Sequence, residues 1–252
     1  PNAVPDKAEA VISGLSYEEI RAVIPVNTTG AILTLDRNPD GTVTLHSSGR
    51  SAHASTPQTG INAVTALISV LNKLPLADGE QREIFRGLER MFPFGETDGR
   101  SAALKVEDKE SGALTLTFSK FAMNEGKISG CIDIRYPVSA QLGDVVKRLS
   151  AALENAGVHY GRNMEEEPHC VPEDSEFVQK LLRVYSEVEG EPGRCIAIGG
   201  GTYVHTVEGG VAFGVERGDT DYHMHGNDEF ITEDELLRDA VLFACAIADI
   251  CG

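Results

Sequence analysis

The feature that most restricts the fold of this chain is a change in apolar periodicity near residue 164. Before it, short runs with a two-residue repeat alternate with runs spaced like helices. Residues 8–14 read as a strand, and 17–24 as a short helix opened by Ser16, with Glu19 three positions on in a capping-box pattern. Runs 31–36 and 42–46 flank Asn38-Pro39-Asp40-Gly41, the punctuation of a hairpin. Residues 61–74 carry Ile61, Val64, Leu67, Ile68 and Leu71 at helical spacing, and 81–91 read as a further helix. Runs 113–121 and 127–135 alternate like paired strands, and 142–156 read as an amphipathic helix ended by Gly157. The string predicts an α+β layer with antiparallel pairing. From residue 173 the pattern becomes helix 175–188, strand 195–198, a glycine loop, strand 210–214, a loop and helix 232–250. That order predicts one edge of an α/β sheet.

Charge narrows the partners. Lys and Arg number 22 against 39 Asp and Glu, a net charge of −17 over 252 residues. Binding to nucleic acid depends on Lys and Arg displacing counterions, so the expectation is no nucleic-acid partner. Docking on anionic lipid is disfavoured for the same reason. No window approaches the roughly 20 apolar residues that span a bilayer, and no basic start precedes an apolar run as in a signal peptide. The five cysteines, Cys131, Cys170, Cys195, Cys245 and Cys251, form no C-x-x-C pair. Their odd number reads as reduced thiols and a cytoplasmic location. The first residue is Pro1, so the chain reads as a fragment or a processed product.

Several kinds of chemistry fail on inspection. Gly199-Gly200-Gly201-Thr202 lacks the lysine of a Walker loop, and Val204 stands where a dinucleotide fingerprint needs glycine. Gly14-Leu15-Ser16-Tyr17-Glu18 lacks the second glycine of a serine-hydrolase elbow. Acidic pairs such as Glu18-Glu19 read as solvated faces. Two constellations stand out. In Gly49-Arg50-Ser51-Ala52-His53-Ala54-Ser55-Thr56-Pro57-Gln58-Thr59-Gly60-Ile61-Asn62-Ala63, a histidine sits between alanines at a strand end. Small neighbours let the imidazole project toward a ligand; a hydrogen-bonded structural histidine fits as well. In the segment from Asp219 to Glu229, His223 and His225 alternate and would share a face in a strand. Metal ligation and a polar surface loop both fit.

Segments 49–63, 131–137 and 196–229 together resemble the di-zinc aminoacylase/dipeptidase metallopeptidases, most closely the bacterial PepV-type dipeptidases. Gly49, His53, Pro57, Gly60, Asn62 and Ala63 match that family's G-x-x-x-H-x-x-x-P-x-x-G-x-N-A motif. Asp133-Ile134-Arg135-Tyr136-Pro137 resembles its D-x-R-x-P strand, and Gly199-Gly200-Gly201-Thr202-Tyr203 its G-G-G-T-Y loop. Asn2, Val4, Pro5 and Asp6 resemble an N-x-V-P-D start.

The resemblance implies an α+β lid of ferredoxin-like layers over residues 1–163. An α/β segment of a zinc-exopeptidase catalytic domain follows over 164–252. By position, His53 is the lid histidine that stabilises the oxyanion of the scissile carbonyl, and Arg135 the arginine that clamps the substrate carboxylate. Asn2 adds a hydrogen bond to substrate, and Gly200, Gly201 and Thr202 offer backbone N–H groups near the same carboxylate. His225 is the C-terminal zinc ligand, preferred to His223 because Asp228 and Glu229 follow it as in the family's H-x-x-[N/D]-E pattern. Relatives often read T-Y-x-R where this chain has Thr202-Tyr203-Val204-His205, with His205 in the place of that arginine.

The family's other zinc ligands and its general base lie upstream of the lid, and no H-x-D motif occurs here. The chain therefore reads as the C-terminal portion of a dipeptidase that holds two zinc ions when whole. It is expected to be inactive alone and to pair with a missing N-terminal half of the catalytic domain. A deacylase of N-acyl amino acids on the same scaffold is the alternative, as is a non-catalytic lid or dimerisation module.

Overall fold

The computed structural model describes residues 2–24, 30–124, 126–161, 164–214, 220, 222 and 228–252. The chain divides into two units. One is Pro1–Pro168 with Ile198–Gly200, and the other is His169–Ala197 with Gly201–Gly252.

The first unit opens with β1 (Lys7–Ile12) and α1 (Tyr17–Val23). The capping box is formed: Ser16 Oγ accepts from Glu19 N at 3.3 Å, and Glu19 Oε2 accepts from Ser16 N at 2.8 Å. Strands β2 (Ile32–Arg37) and β3 (Val43–Ser48) are joined at Asn38–Gly41, where Gly41 takes φ +85°, a conformation that costs glycine little. The sheet order is β1-β3-β2, antiparallel throughout. Ala10, Leu45 and Leu35 lie in register across it, and their face packs on Ile20 and Ile24 and on Leu67, Val70 and Leu71 of α2 (Ala63–Leu71).

Helix α2 is buried on nearly every side, as expected of a helix without a polar face. It serves two cores. Its Val64 and Ile68 turn away from the sheet toward α3 (Glu80–Met91), β6 (Thr115–Asn124) and α4 (Leu142–Asn155), through Leu88, Phe118 and Leu149. Fully burying side chains of this size stabilises by about 1.5–3 kcal/mol each. A two-residue pair, β4 (Glu107–Asp108) with β5 (Gly112–Ala113), precedes the β6 hairpin with β7 (Lys127–Arg135). The β6–β7 register shifts between Phe118 and Lys120, a bulge at Ser119 that no alternation of residue types announces. Gly157 follows α4 at φ +76°, as the sequence pattern requires.

The second unit contains α5 (Glu176–Glu189) and α6 (Glu233–Cys251). They pack through Leu181, Val184, Leu242 and Ala246, with Arg183 donating to both oxygens of Asp249 at 2.6 and 2.7 Å. The strands expected at 195–198 and 210–214 do not form: these residues have no ladder partner among the described residues. Ile196 and Ile198 are exposed. A strand exists only when a neighbour satisfies its backbone groups, and a local apolar run cannot provide one.

Candidate functional site

The loop between β3 and α2 is built almost residue by residue from its motif. A Cβ at Gly49 would lie 2.0 Å from the Ile61 carbonyl oxygen, so only glycine lets the two strands of the loop meet. They close with Arg50 N donating to Ile61 O at 3.0 Å and Ile61 N to Arg50 O at 2.8 Å. Gly60 lies against Arg50 O and the side chains of Ala52 and Val4, again with no room for a Cβ. Asn62 caps α2, its Oδ1 accepting from Val64 N and Thr65 N, while its Nδ2 donates to Phe118 O at 3.0 Å. Half of the motif is therefore scaffold, and what it holds is His53.

The start of the chain runs antiparallel beside that histidine. Val4 N donates to Ala52 O and Ala54 N to Asn2 O, each at 2.8 Å, with an isolated bridge from Ala3 to His53. Thr115 Oγ1 donates to Ala54 O at 3.0 Å from β6, so the backbone on both sides of His53 is tied down. The imidazole is half-buried. Its Nδ1 lies 2.7 Å from Ser55 Oγ and 3.3 Å from Ser55 N.

Arg135 closes β7. Asp133, two residues earlier and on the same face, accepts side-on from its Nε at 2.6 Å and Nη2 at 3.0 Å, and Nη1 donates to Gly199 O at 2.6 Å. A guanidinium has five N–H donors. Among the described residues three are thus engaged, and each terminal nitrogen retains one. A Cβ at Gly199 would fall 2.5 Å from Ser55 Cβ, so glycine there lets the loop rest on the residue that holds His53. Next to Arg135, Tyr136 donates to Glu166 O at 2.6 Å, and burial, then Glu167 and Glu165, pushes its pKa up to about 12.

Asn2, His53, Arg135 and Gly200 thus belong to the first unit, with Ser55 and Gly199 linking the histidine to the arginine. Gly201 and Thr202 belong to the second unit. There, Thr202 O accepts from His205 N at 3.0 Å in a short 3-10 turn, and the His205 ring lies 5.6 Å from that of His169. Among the described residues nothing would obstruct a Cβ at Gly200 or Gly201, so packing does not demand glycine at either. His225 and His223 lie outside the described residues. Two pairings escaped sequence reasoning, Ser55 with His53 and Asp133 with Arg135, although Asp133 is part of the D-x-R-x-P strand. Ser55 and Asp133 each stand two positions from the group they hold, a spacing that is legible only once the turn or strand is known.

An α+β domain that presents a backbone-anchored histidine and a carboxylate-fixed arginine is the class that these features define. Residues 41–161, from the hairpin turn before β3 to just past α4, match the peptidase dimerisation domain of the M20 peptidases. Over 255 residues the chain is 34% identical to YtjP of Bacillus subtilis (strain 168), a dipeptidase by name, covering 99% of this chain and 53% of that protein. It is 30% identical over 258 residues to the Beta-Ala-Xaa dipeptidase of Lactobacillus delbrueckii subsp. lactis, with 99% and 53% covered. A Staphylococcus aureus (strain USA300) protein that is a dipeptidase by name shares 27% over 263 residues, with 99% and 54% covered. The chain is thus similar to proteins that are dipeptidases by name, and residues 41–161 to the dimerisation domain of M20 peptidases. It spans about half the length of the curated relatives it matches.

Proposed function

We propose that this chain supplies the substrate-clamping part of a zinc-dependent dipeptidase. Residues 1–163 act as an α+β lid of ferredoxin-like layers, and 164–252 as the end of the catalytic domain. The observation that carries the reading is the arrangement of His53 and Arg135 around Ser55 and Gly199. His53 donates to the oxygen of the scissile carbonyl as it gains charge, and this kind of electrostatic stabilisation carries large rate effects. The two N–H groups left on Arg135 grip the substrate's terminal carboxylate end-on. Asn2 adds a side-chain hydrogen bond, and Gly200, Gly201 and Thr202 present backbone N–H groups to that carboxylate. Gripping the terminal carboxylate so close to the reacting carbonyl favours dipeptides over longer chains.

Two zinc ions are the cofactor in this reading, with His225 as one ligand. Among the described residues no group of three or more His, Cys, Asp or Glu could hold a metal ion, so they do not fit a zinc centre by themselves. The remaining ligands are assigned to an N-terminal half of the catalytic domain. The greater length of the relatives supports that half, and so does α6, where Leu236, Leu237, Val241 and Ile247 are exposed along one helix. Exposed apolar surface of that kind marks an interface. All five cysteines are free thiols, which supports a cytoplasmic location. No helix of the described residues is long and apolar enough to cross a membrane.

A non-catalytic dimerisation module is the second reading, favoured by the description of the domain matched at 41–161. The test is elemental analysis with hydrolysis assays on the full-length protein and on these 252 residues alone. The expected result is zinc and dipeptide turnover in the former, and little of either in the latter. Faster cleavage of an N-acyl amino acid than of a dipeptide would establish the deacylase instead. No turnover of either substrate would establish the module.

A further inference from the structure

We infer that Ser55 holds the proton of His53 on Nε2, and so sets the ring as a donor. A neutral imidazole carries one N–H, and its partners decide which nitrogen has it. The backbone nitrogen of Ser55 lies 3.3 Å from Nδ1, and an amide N–H only donates, so Nδ1 must offer its lone pair. The Ser55 hydroxyl, 2.7 Å from the same atom, is then a second donor to it. Both contacts assign the hydrogen to Nε2. The other tautomer would set Nδ1–H against the amide hydrogen.

The arrangement is built in. Thr56 N donates to His53 O at 3.0 Å, closing a tight turn that brings the hydroxyl two residues on back over the ring. Ala54 between them is fully buried and tied to Asn2 and Thr115. Gly199 rests on the Ser55 Cβ, which limits where that side chain can go. The consequence for chemistry rests on the role proposed above for His53. An oxygen gaining negative charge needs an N–H, whereas a ring with its lone pair on Nε2 would repel it. Ser55 is therefore a positioning residue that acts through His53.

Nitrogen-15 NMR of the histidine-labelled full-length protein, at a pH where the ring is neutral, reads the protonated nitrogen directly. A His53→Asn variant identifies the His53 signals. The wild type should show Nδ1 unprotonated and Nε2 protonated. Ser55→Ala, which removes the hydroxyl but keeps the amide donor, should move both signals part of the way toward the average of two exchanging tautomers. Ser55→Cys, whose thiol is a weak donor, should fall between. In kinetics, Ser55→Ala should lower kcat about fivefold at unchanged KM, the worth of one hydrogen bond. A proton on Nδ1 in the wild type, or a Ser55→Ala spectrum identical to wild type, overturns the inference. The spectra decide the tautomer without any turnover, and the kinetics of His53→Ala decide the role on which its chemical meaning rests, so the two fail separately.

Discussion

Asp133 and Arg135, two residues apart on one face of β7, meet side-on, with Nε 2.6 Å from Oδ1 and Nη2 3.0 Å from Oδ2. Neither is freely solvated: their side chains are 14% and 26% exposed. The carboxylate therefore orients the guanidinium without consuming its outer edge, because among the described residues one N–H remains on each terminal nitrogen after Gly199 has taken its share. An arginine held this way is preorganised for a second carboxylate at its tip.

Arg135→Lys should raise KM for a dipeptide about 10- to 100-fold, because a point charge replaces two charge-assisted hydrogen bonds. Asp133→Asn should raise KM by a smaller factor with kcat little changed, since the fork survives but loses its anchor. Steady-state kinetics in the full-length protein check both. An unchanged KM for Arg135→Lys places the carboxylate clamp elsewhere.

Gly49→Ala should destabilise the fold by about 1–3 kcal/mol, since the new methyl meets backbone rather than a side chain that can move. Gly143, in the first turn of α4 with open space around it, is the control. Gly143→Ala should stabilise slightly, by up to about 1 kcal/mol, as a helical glycine replaced by alanine does. Thermal or urea unfolding of the two variants should therefore shift in opposite directions.

Tyr136 has its pKa pushed up to about 12 by burial and by Glu167 and Glu165, so the folded state favours its neutral form. The stability this contributes is complete below the ordinary tyrosine value of about 10. It is lost as pH rises toward about 12. Urea midpoints of wild type and Tyr136→Phe should differ by a constant amount up to about pH 10 and converge above it. A constant difference across the whole range contradicts the assignment.

Local signals proved readable where the physics is local. The Ser16–Glu19 box, the Asn38–Gly41 turn and Gly157 behind α4 all form where the residue types require them. The runs at 195–198 and 210–214 have the right apolar pattern and no partner strand among the described residues, since pairing is decided by what lies alongside. The bulge at Ser119 and the short β4–β5 pair left no trace in the alternation of residue types. At the site, His53 and Arg135 stood out with roles of their own, while the sequence does not show which partners Ser55 and Asp133 hold. The former carry the chemistry; the latter matter only through the turn and strand that aim them. His225 lies outside the described residues, and its metal role stays a proposal.

The central claim is that His53 stabilises charge on a dipeptide's scissile carbonyl, and the most direct measurement is kcat for a dipeptide in zinc-loaded full-length wild type and His53→Ala, with zinc content measured alongside. The account predicts wild-type turnover and a fall in kcat of roughly 10²–10³ in the variant at unchanged zinc, as for the loss of one preorganised oxyanion donor. Equal kcat in the two proteins, or a wild type that cleaves no dipeptide, would contradict it.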